Sequence, residues 1–125
     1  MRILIADDHE IVRKGVATVL SARRDLEICG EAADGEDAVR KAEELRPDLV
    51  ILDLTMPELN GMIAAQKIKE ILPSVPILIL SMHEGASLME TFRRIGVQGY
   101  VPKTQASEKL LEAVDALAKG NTYFG

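Results

Sequence analysis

The sequence predicts an α/β fold, a doubly wound parallel sheet of five strands alternating with five helices. Three observations predict it. Short apolar runs recur along the chain, separated by segments about a dozen residues long with apolar residues at helical spacing. Three of those runs lack polar alternation, as strands covered on both faces do. Proline or glycine closes most of the helical segments, marking each return to the sheet.

Taken in order, residues 3–6 (Ile-Leu-Ile-Ala) form the first run and lead straight into Asp7-Asp8. A helical segment follows, with Val12, Val16, Val19 and Leu20 on one face. Residues 26–32 form a second run, broken by Glu27 and Glu31, so it reads as an edge strand. Ala38, Ala42 and Leu45 mark the second helix, stopped by Pro47. Residues 49–52 are a wholly apolar third run, followed by a helix carrying Ala64, Ile68, Ile71 and Leu72 and stopped by Pro73. Residues 77–80 form the fourth run, and the next helix shows Leu88, Phe92 and Ile95 with Gly96 as its C-cap. Gly99-Tyr100-Val101 is a short second edge strand ahead of Pro102. The last helix, with Leu110, Val114 and Leu117, is expected to begin near Ser107 and close at Gly120. Right-handed crossovers and coverage of both faces favour the flavodoxin-like order 2-1-3-4-5, which makes the three wholly apolar runs central.

A chain of 125 residues suits one domain spanning 1–125. With 47% hydrophobic and 28% charged residues it has an ordinary globular composition, and 3% aromatics implies an aliphatic core. The first apolar run is too short for a signal peptide or a membrane span, so a soluble cytoplasmic protein is expected. A net charge of −5 argues against nucleic-acid binding by this domain itself. The single cysteine, Cys29, reads as a small packing residue.

In an open parallel sheet, ligands bind beyond the carboxyl ends of the strands, near the point where strand order reverses. The residues standing there are Asp7 and Asp8 after the first run, Asp53 after the third, Ser81 after the fourth and Lys103 after the fifth. Adjacent first and third strands bring the three carboxylates together. Two carboxylates about 4 Å apart repel by roughly 4 kcal/mol at an effective dielectric near 20. Native stability totals only about 5–15 kcal/mol, so such a cluster calls for a hard divalent cation, and oxygen donors with retained waters suit Mg²⁺. Asp8 and Asp53 are expected to contact the metal, with Asp7 acting through a water. Asp53 is the expected nucleophile toward phosphorus, Lys103 pairs with a phosphoryl oxygen, and Ser81 donates a hydrogen bond to another.

These residues carry a resemblance. Asp7-Asp8-His9, Asp53-Leu54-Thr55-Met56-Pro57 with Gly61, Leu80-Ser81-Met82 and Gly99-Tyr100-Val101-Pro102-Lys103 resemble, in the same order, the receiver domains of bacterial two-component response regulators. Asp7-Asp8-His9-Glu10, the Leu-Ser-Met-His stretch at 80–83 and the closing Lys-Gly-Asn-Thr-Tyr-Phe at 119–124 look most like the NarL/FixJ branch. The resemblance implies phosphoryl transfer from a sensor histidine kinase to Asp53, with the backbone carbonyl of Thr55 as a further metal ligand. It implies a switch in which Ser81 swings toward the phosphate while Tyr100 turns inward. It further implies a signalling module that catalyses only its own phosphorylation and dephosphorylation, with a phosphorylation-dependent homodimer or an attached effector as output. That branch continues into a DNA-binding helix-turn-helix, so DNA contact and control of transcription would run through an effector outside residues 1–125. Many receivers place a cis proline after the lysine; here Thr104 follows Lys103, and a trans bond is expected.

Other readings weigh less. Acidic residues at a helix N-terminus would account for Asp7 and Asp8 alone, but not for Asp53 and Lys103 as well. His9 and His83 lack the Cys/His spacing of a zinc site. His83 and Thr55, each two residues beyond a site residue, are expected to tune the dephosphorylation rate. A haloacid-dehalogenase-type phosphotransferase also uses an Asp nucleophile with Mg²⁺, but places a second Asp where this chain has Thr55. A pseudo-receiver that binds partners without phosphate would not require the complete acidic cluster. Walker and dinucleotide-binding glycine motifs are absent.

Overall fold

The computed structural model describes residues 1–54, 60–82 and 88–124. Its elements run β1 (Arg2–Ala6), α1 (Glu10–Leu20), β2 (Glu27–Ala32), α2 (Gly35–Leu45), β3 (Leu49–Leu52), α3 (Gly61–Ile71), β4 (Ile77–Ser81), α4 (Met89–Ile95), β5 (Gly99–Pro102) and α5 (Ala106–Ala118). The strands form one parallel sheet in the order β2-β1-β3-β4-β5, as expected.

Alternation along each strand divides the core into two layers. Ile3, Ile5, Leu49, Ile51, Leu78, Leu80 and Val101 pack against Val16 and Leu20 of α1 and Leu110, Val114 and Leu117 of α5. Their neighbours Leu4, Ala6, Val50, Leu52, Ile77, Ile79 and Tyr100 face Ala38 and Ala42 of α2, Ala64 and Ile68 of α3, and Phe92 of α4. Each fully buried aliphatic side chain contributes about 1.5–3 kcal/mol, so the central strands are the stiffest part of the molecule. Their carboxyl ends inherit that rigidity.

Local chemistry fixes the helix ends. Asp34 accepts from the Asp37 N–H at 2.8 Å, and Asn60 accepts from the Ile63 N–H at 3.1 Å, capping α2 and α3. Helix α2 ends at Arg46 in a left-handed conformation (φ 46°), one residue before Pro47. The Arg2 guanidinium donates to the carbonyls of Leu45 at 2.6 Å and Arg46 at 3.2 Å, groups that the end of the helix leaves without an internal partner. Helix α4 ends at Gly96 (φ 95°), the C-cap expected from the sequence. The Lys103–Thr104 bond is trans.

Four details differ from expectation. Helix α5 begins at Ala106 through a 3₁₀ turn at Lys103–Gln105, so Ser107 lies within its first turn and caps nothing. The outer edge of β5 is partly covered, because the Tyr123 carbonyl accepts from the Tyr100 N–H at 2.7 Å and the Tyr123 N–H donates to Gln98 at 2.9 Å. The core is not purely aliphatic: Phe92 stacks between Tyr100 at 5.8 Å and Phe124 at 6.4 Å, measured between ring centroids. The pairing of β1 with β2 skips Cys29, which stands between the partners of Ile3 and Leu4. Cys29 is half-buried and burial pushes its thiol pKa up, in keeping with a packing role.

Gly61 is the glycine on which the site depends. Its N–H donates to the Leu54 carbonyl at 2.8 Å, drawing the start of α3 against the end of β3. A Cβ there would lie 2.0 Å from the Asp53 carbonyl oxygen and 2.6 Å from Leu54 Cα, both backbone atoms. Gly61→Ala is therefore expected to lower stability by about 1–3 kcal/mol through overpacking. The measurement is a urea titration: a lower midpoint at unchanged slope is the expected result.

Candidate functional site

The site forms where β1 and β3 end side by side. The Asp7 N–H donates to Ala32 and the Asp53 N–H to Ala6, both at 2.9 Å, so the sheet ladder runs up to the carboxylates and fixes their backbones. Asp7 and Asp53 are buried and Asp8 is partly exposed. Carboxylate oxygens of Asp7, Asp8 and Asp53, with a ring nitrogen of His9, all lie within 4.8 Å of one another. The expected convergence of the three aspartates is borne out.

Lys103 enters from the far side of the sheet. Its Nζ lies 2.7 Å from Asp7 Oδ2 and 3.4 Å from Asp53 Oδ2, with its side chain only 10% exposed. The protein thus carries an internal cation against its own carboxylate repulsion. Three carboxylates and one ammonium still leave a formal excess of two negative charges at the sheet end. One divalent cation matches that excess, and the donors are predominantly carboxylate oxygens, the set that suits a hard ion. The residues present therefore fit a bound metal.

Ser81, the last residue of β4, is fully buried between β3 and β5. Tyr100 is buried too, its ring already against Phe92 in the interior. The expected contributions of Thr55 and His83 lie outside the described residues.

The explanation of Asp7 and Asp8 as ordinary helix-terminal acids does not match the geometry. The N-cap of α1 is His9, without a side-chain cap bond, and Asp7 Oδ1 accepts from the His9 N–H at 2.9 Å rather than from the first turn of the helix.

One residue of the site escaped the sequence reading. Arg13 donates from Nη1 to the Asp7 carbonyl at 2.7 Å and from Nε to Glu31 Oε1 at 3.0 Å, tying the loop after β1 to the end of β2. Its side chain is only 16% exposed. The available signal was a charged residue next to Val12 on the side of α1 that turns toward the sheet.

Electrostatics dictates three outcomes. Asp53→Asn is expected to raise the melting temperature in metal-free buffer by removing one of three converging charges. Lys103→Ala is expected to destabilise the metal-free protein by on the order of 3 kcal/mol, because Asp7 loses its close cation while staying buried. Added Mg²⁺ should recover more stability in Lys103→Ala than in the parent. Thermal melts with and without Mg²⁺ check all three statements.

Residues 3–115 match the response regulator receiver domain family. Over 124 residues the chain is 43% identical to the oxygen regulatory protein NreC of Staphylococcus haemolyticus, covering 98% of this chain and 57% of that protein. The chain thus spans little more than half the length of the curated relatives it matches. Among solved structures it is similar to a LuxR-family two-component response regulator from Aurantimonas sp. (TM-score 0.92, 34% identity, 98% of this chain and 87% of that one). It is also similar to the isolated receiver domain of RcsB from Salmonella enterica serovar Typhimurium, solved with phosphomimetic BeF₃⁻ (TM-score 0.92, 29% identity, 100% of this chain and 93% of that one). No helix among the described residues is long and apolar enough to cross a membrane. With its ordered acidic site, parallel five-stranded sheet and match over residues 3–115, the chain belongs to the response regulator receiver domains, on the branch shared with LuxR-type regulators.

Proposed function

We propose that Asp53 accepts a phosphoryl group from the phosphohistidine of a sensor histidine kinase, and that the acyl phosphate so formed controls a transcriptional output. The observation carrying this reading is the meeting of Asp7, Asp8 and Asp53 at the ends of β1 and β3, with Lys103 Nζ reaching both Asp7 and Asp53. In the transfer, an Asp53 carboxylate oxygen forms the bond to phosphorus. The phosphorus–nitrogen bond of the donor breaks, and its electron pair leaves on the imidazole.

Phosphoryl transfer of this kind needs positioning and charge neutralisation more than proton chemistry. The ladder bonds of Asp7 and Asp53 supply positioning. Lys103 supplies one mobile charge: its ammonium exchanges part of its carboxylate contact for a phosphoryl oxygen. Ser81 is placed to donate its hydroxyl to another. Asp8 and Asp53 would hold Mg²⁺, with Asp7 through a water and the Thr55 carbonyl expected from the resemblance. The metal would supply neutralisation of phosphoryl charge during transfer. Beside Lys103, an apolar groove bordered by Val12, Gly15 and Val19 of α1 and by Ala106 of α5 supports delivery by a protein donor.

The reading places the protein in the cytoplasm, as a switch whose only catalysis is its own phosphorylation and dephosphorylation. Its output would be a phosphorylation-dependent homodimer or an effector domain, with DNA contacted only through that effector. Ser81 and Tyr100 are the proposed switch pair. Tyr100 stacks on Phe92, and its N–H is bonded to Tyr123, so movement of Tyr100 would be felt at α4 and at Tyr123.

Intact-mass analysis after incubation with Mg²⁺ and acetyl phosphate tests the assignment. The expected result is one phosphoryl adduct on the parent and none on Asp53→Asn. Lys103→Ala should retain the acceptor but acquire the adduct at least tenfold more slowly. An adduct on Asp53→Asn at the parent's rate would place the acceptor elsewhere.

A further inference from the structure

We propose that His9 is a nitrogen ligand of the acidic site, and that the site consequently holds borderline dications such as Mn²⁺ or Co²⁺ more tightly than Mg²⁺. This rests on the reading that Asp8 and Asp53 hold a dication, and it extends that reading to the class of metal. His9 Nδ1 lies 3.0 Å from Asp8 Oδ1 and 3.3 Å from Asp7 Oδ1. In an octahedral shell with bonds of about 2.1 Å, adjacent donor atoms stand about 3.0 Å apart. The imidazole nitrogen and the Asp8 oxygen therefore have the separation of neighbouring ligands on one ion.

The backbone holds the ring there. His9 is extended (φ −101°, ψ 113°) at the N-cap of α1, and its side chain makes no bond to the helix it precedes. Its N–H is fixed on Asp7 Oδ1 at 2.9 Å, which turns the residue toward the carboxylates. The ring is 63% exposed, so binding a metal requires no rearrangement of the core.

Ligand chemistry then decides the preference. Oxygen donors suit Mg²⁺ and Mn²⁺ alike, whereas imidazole favours the later first-row ions and adds little for Mg²⁺. A site of three carboxylates accepts hard ions; adding one imidazole tilts it along the series. The rival role for His9 is that of a hydrogen-bond donor to Asp8, competing with the metal. The two roles predict opposite signs when the ring is removed.

The experiment is calorimetric titration of the full chain with Mg²⁺ and separately with Mn²⁺, for the parent, His9→Ala and Asp8→Asn. Pulsed electron paramagnetic resonance of the Mn²⁺ complexes accompanies it. The parent is expected to bind Mn²⁺ at least tenfold more tightly than Mg²⁺ and to show imidazole nitrogen coupling. His9→Ala should weaken Mn²⁺ binding about tenfold, leave Mg²⁺ within twofold and abolish the coupling. A Mn²⁺ complex of the parent without nitrogen coupling overturns the proposal, as does a His9→Ala variant that binds both ions more tightly. Should Asp8→Asn bind Mg²⁺ as the parent does, the underlying metal site fails instead, and that outcome is separable because it does not involve His9.

Discussion

Everything functional in this molecule depends on holding like charges together. Asp7 and Asp53 are buried at adjacent strand ends, where their repulsion would by itself consume a sizeable part of the folding free energy. Two features make the arrangement tolerable. The ladder bonds to Ala32 and Ala6 anchor both backbones within the stiffest layer of the core, so the carboxylates cannot relax apart. Lys103 then sets an ammonium between them. The remaining negative excess is what a divalent cation would neutralise. A site balanced to neutrality by protein groups alone would have no such appetite.

Much of this was legible in the sequence, for identifiable reasons. The wholly apolar runs before Asp7, Asp53 and Ser81 announced central strands, and the parallel sheet then forced their following residues to one edge. What escaped the reading depends on distances between residues far apart in the chain. Arg13 binding the Asp7 carbonyl and Glu31 joins α1, β1 and β2, and its place beside Val12 names neither partner. The stacking of Tyr100, Phe92 and Phe124 was hidden because each ring stands on a different segment. The pairing of Tyr123 with β5 was hidden because a single bridge has no periodicity to recognise.

Helix boundaries show the same division. Asp34 and Asn60 cap α2 and α3 through local side-chain bonds, which the sequence advertises. Helix α5 has no such cap, and its start is set by the 3₁₀ turn that carries Lys103 out of the sheet. Ser107 looked like a cap by type but stands two residues past the N-cap position, inside the first turn.

The strand order also explains why the cation is a lysine just past β5. Lys103 leaves the sheet at the end of β5, two strands from β3 and three from β1, so a gap across the ends of the intervening strands separates its backbone from the carboxylates it meets. Only a long side chain spans that gap, and a compact ammonium can lie against two carboxylates without the planar fork of arginine choosing one of them. The path crosses the end of β4, which carries Ser81, small enough to leave the lysine room. The sheet end therefore carries aspartates after β1 and β3, a short serine at the end of β4 and a long lysine just past β5. A bulky residue at position 81 would close the passage as well as remove a hydroxyl, so one small polar residue satisfies a steric and a chemical demand at once.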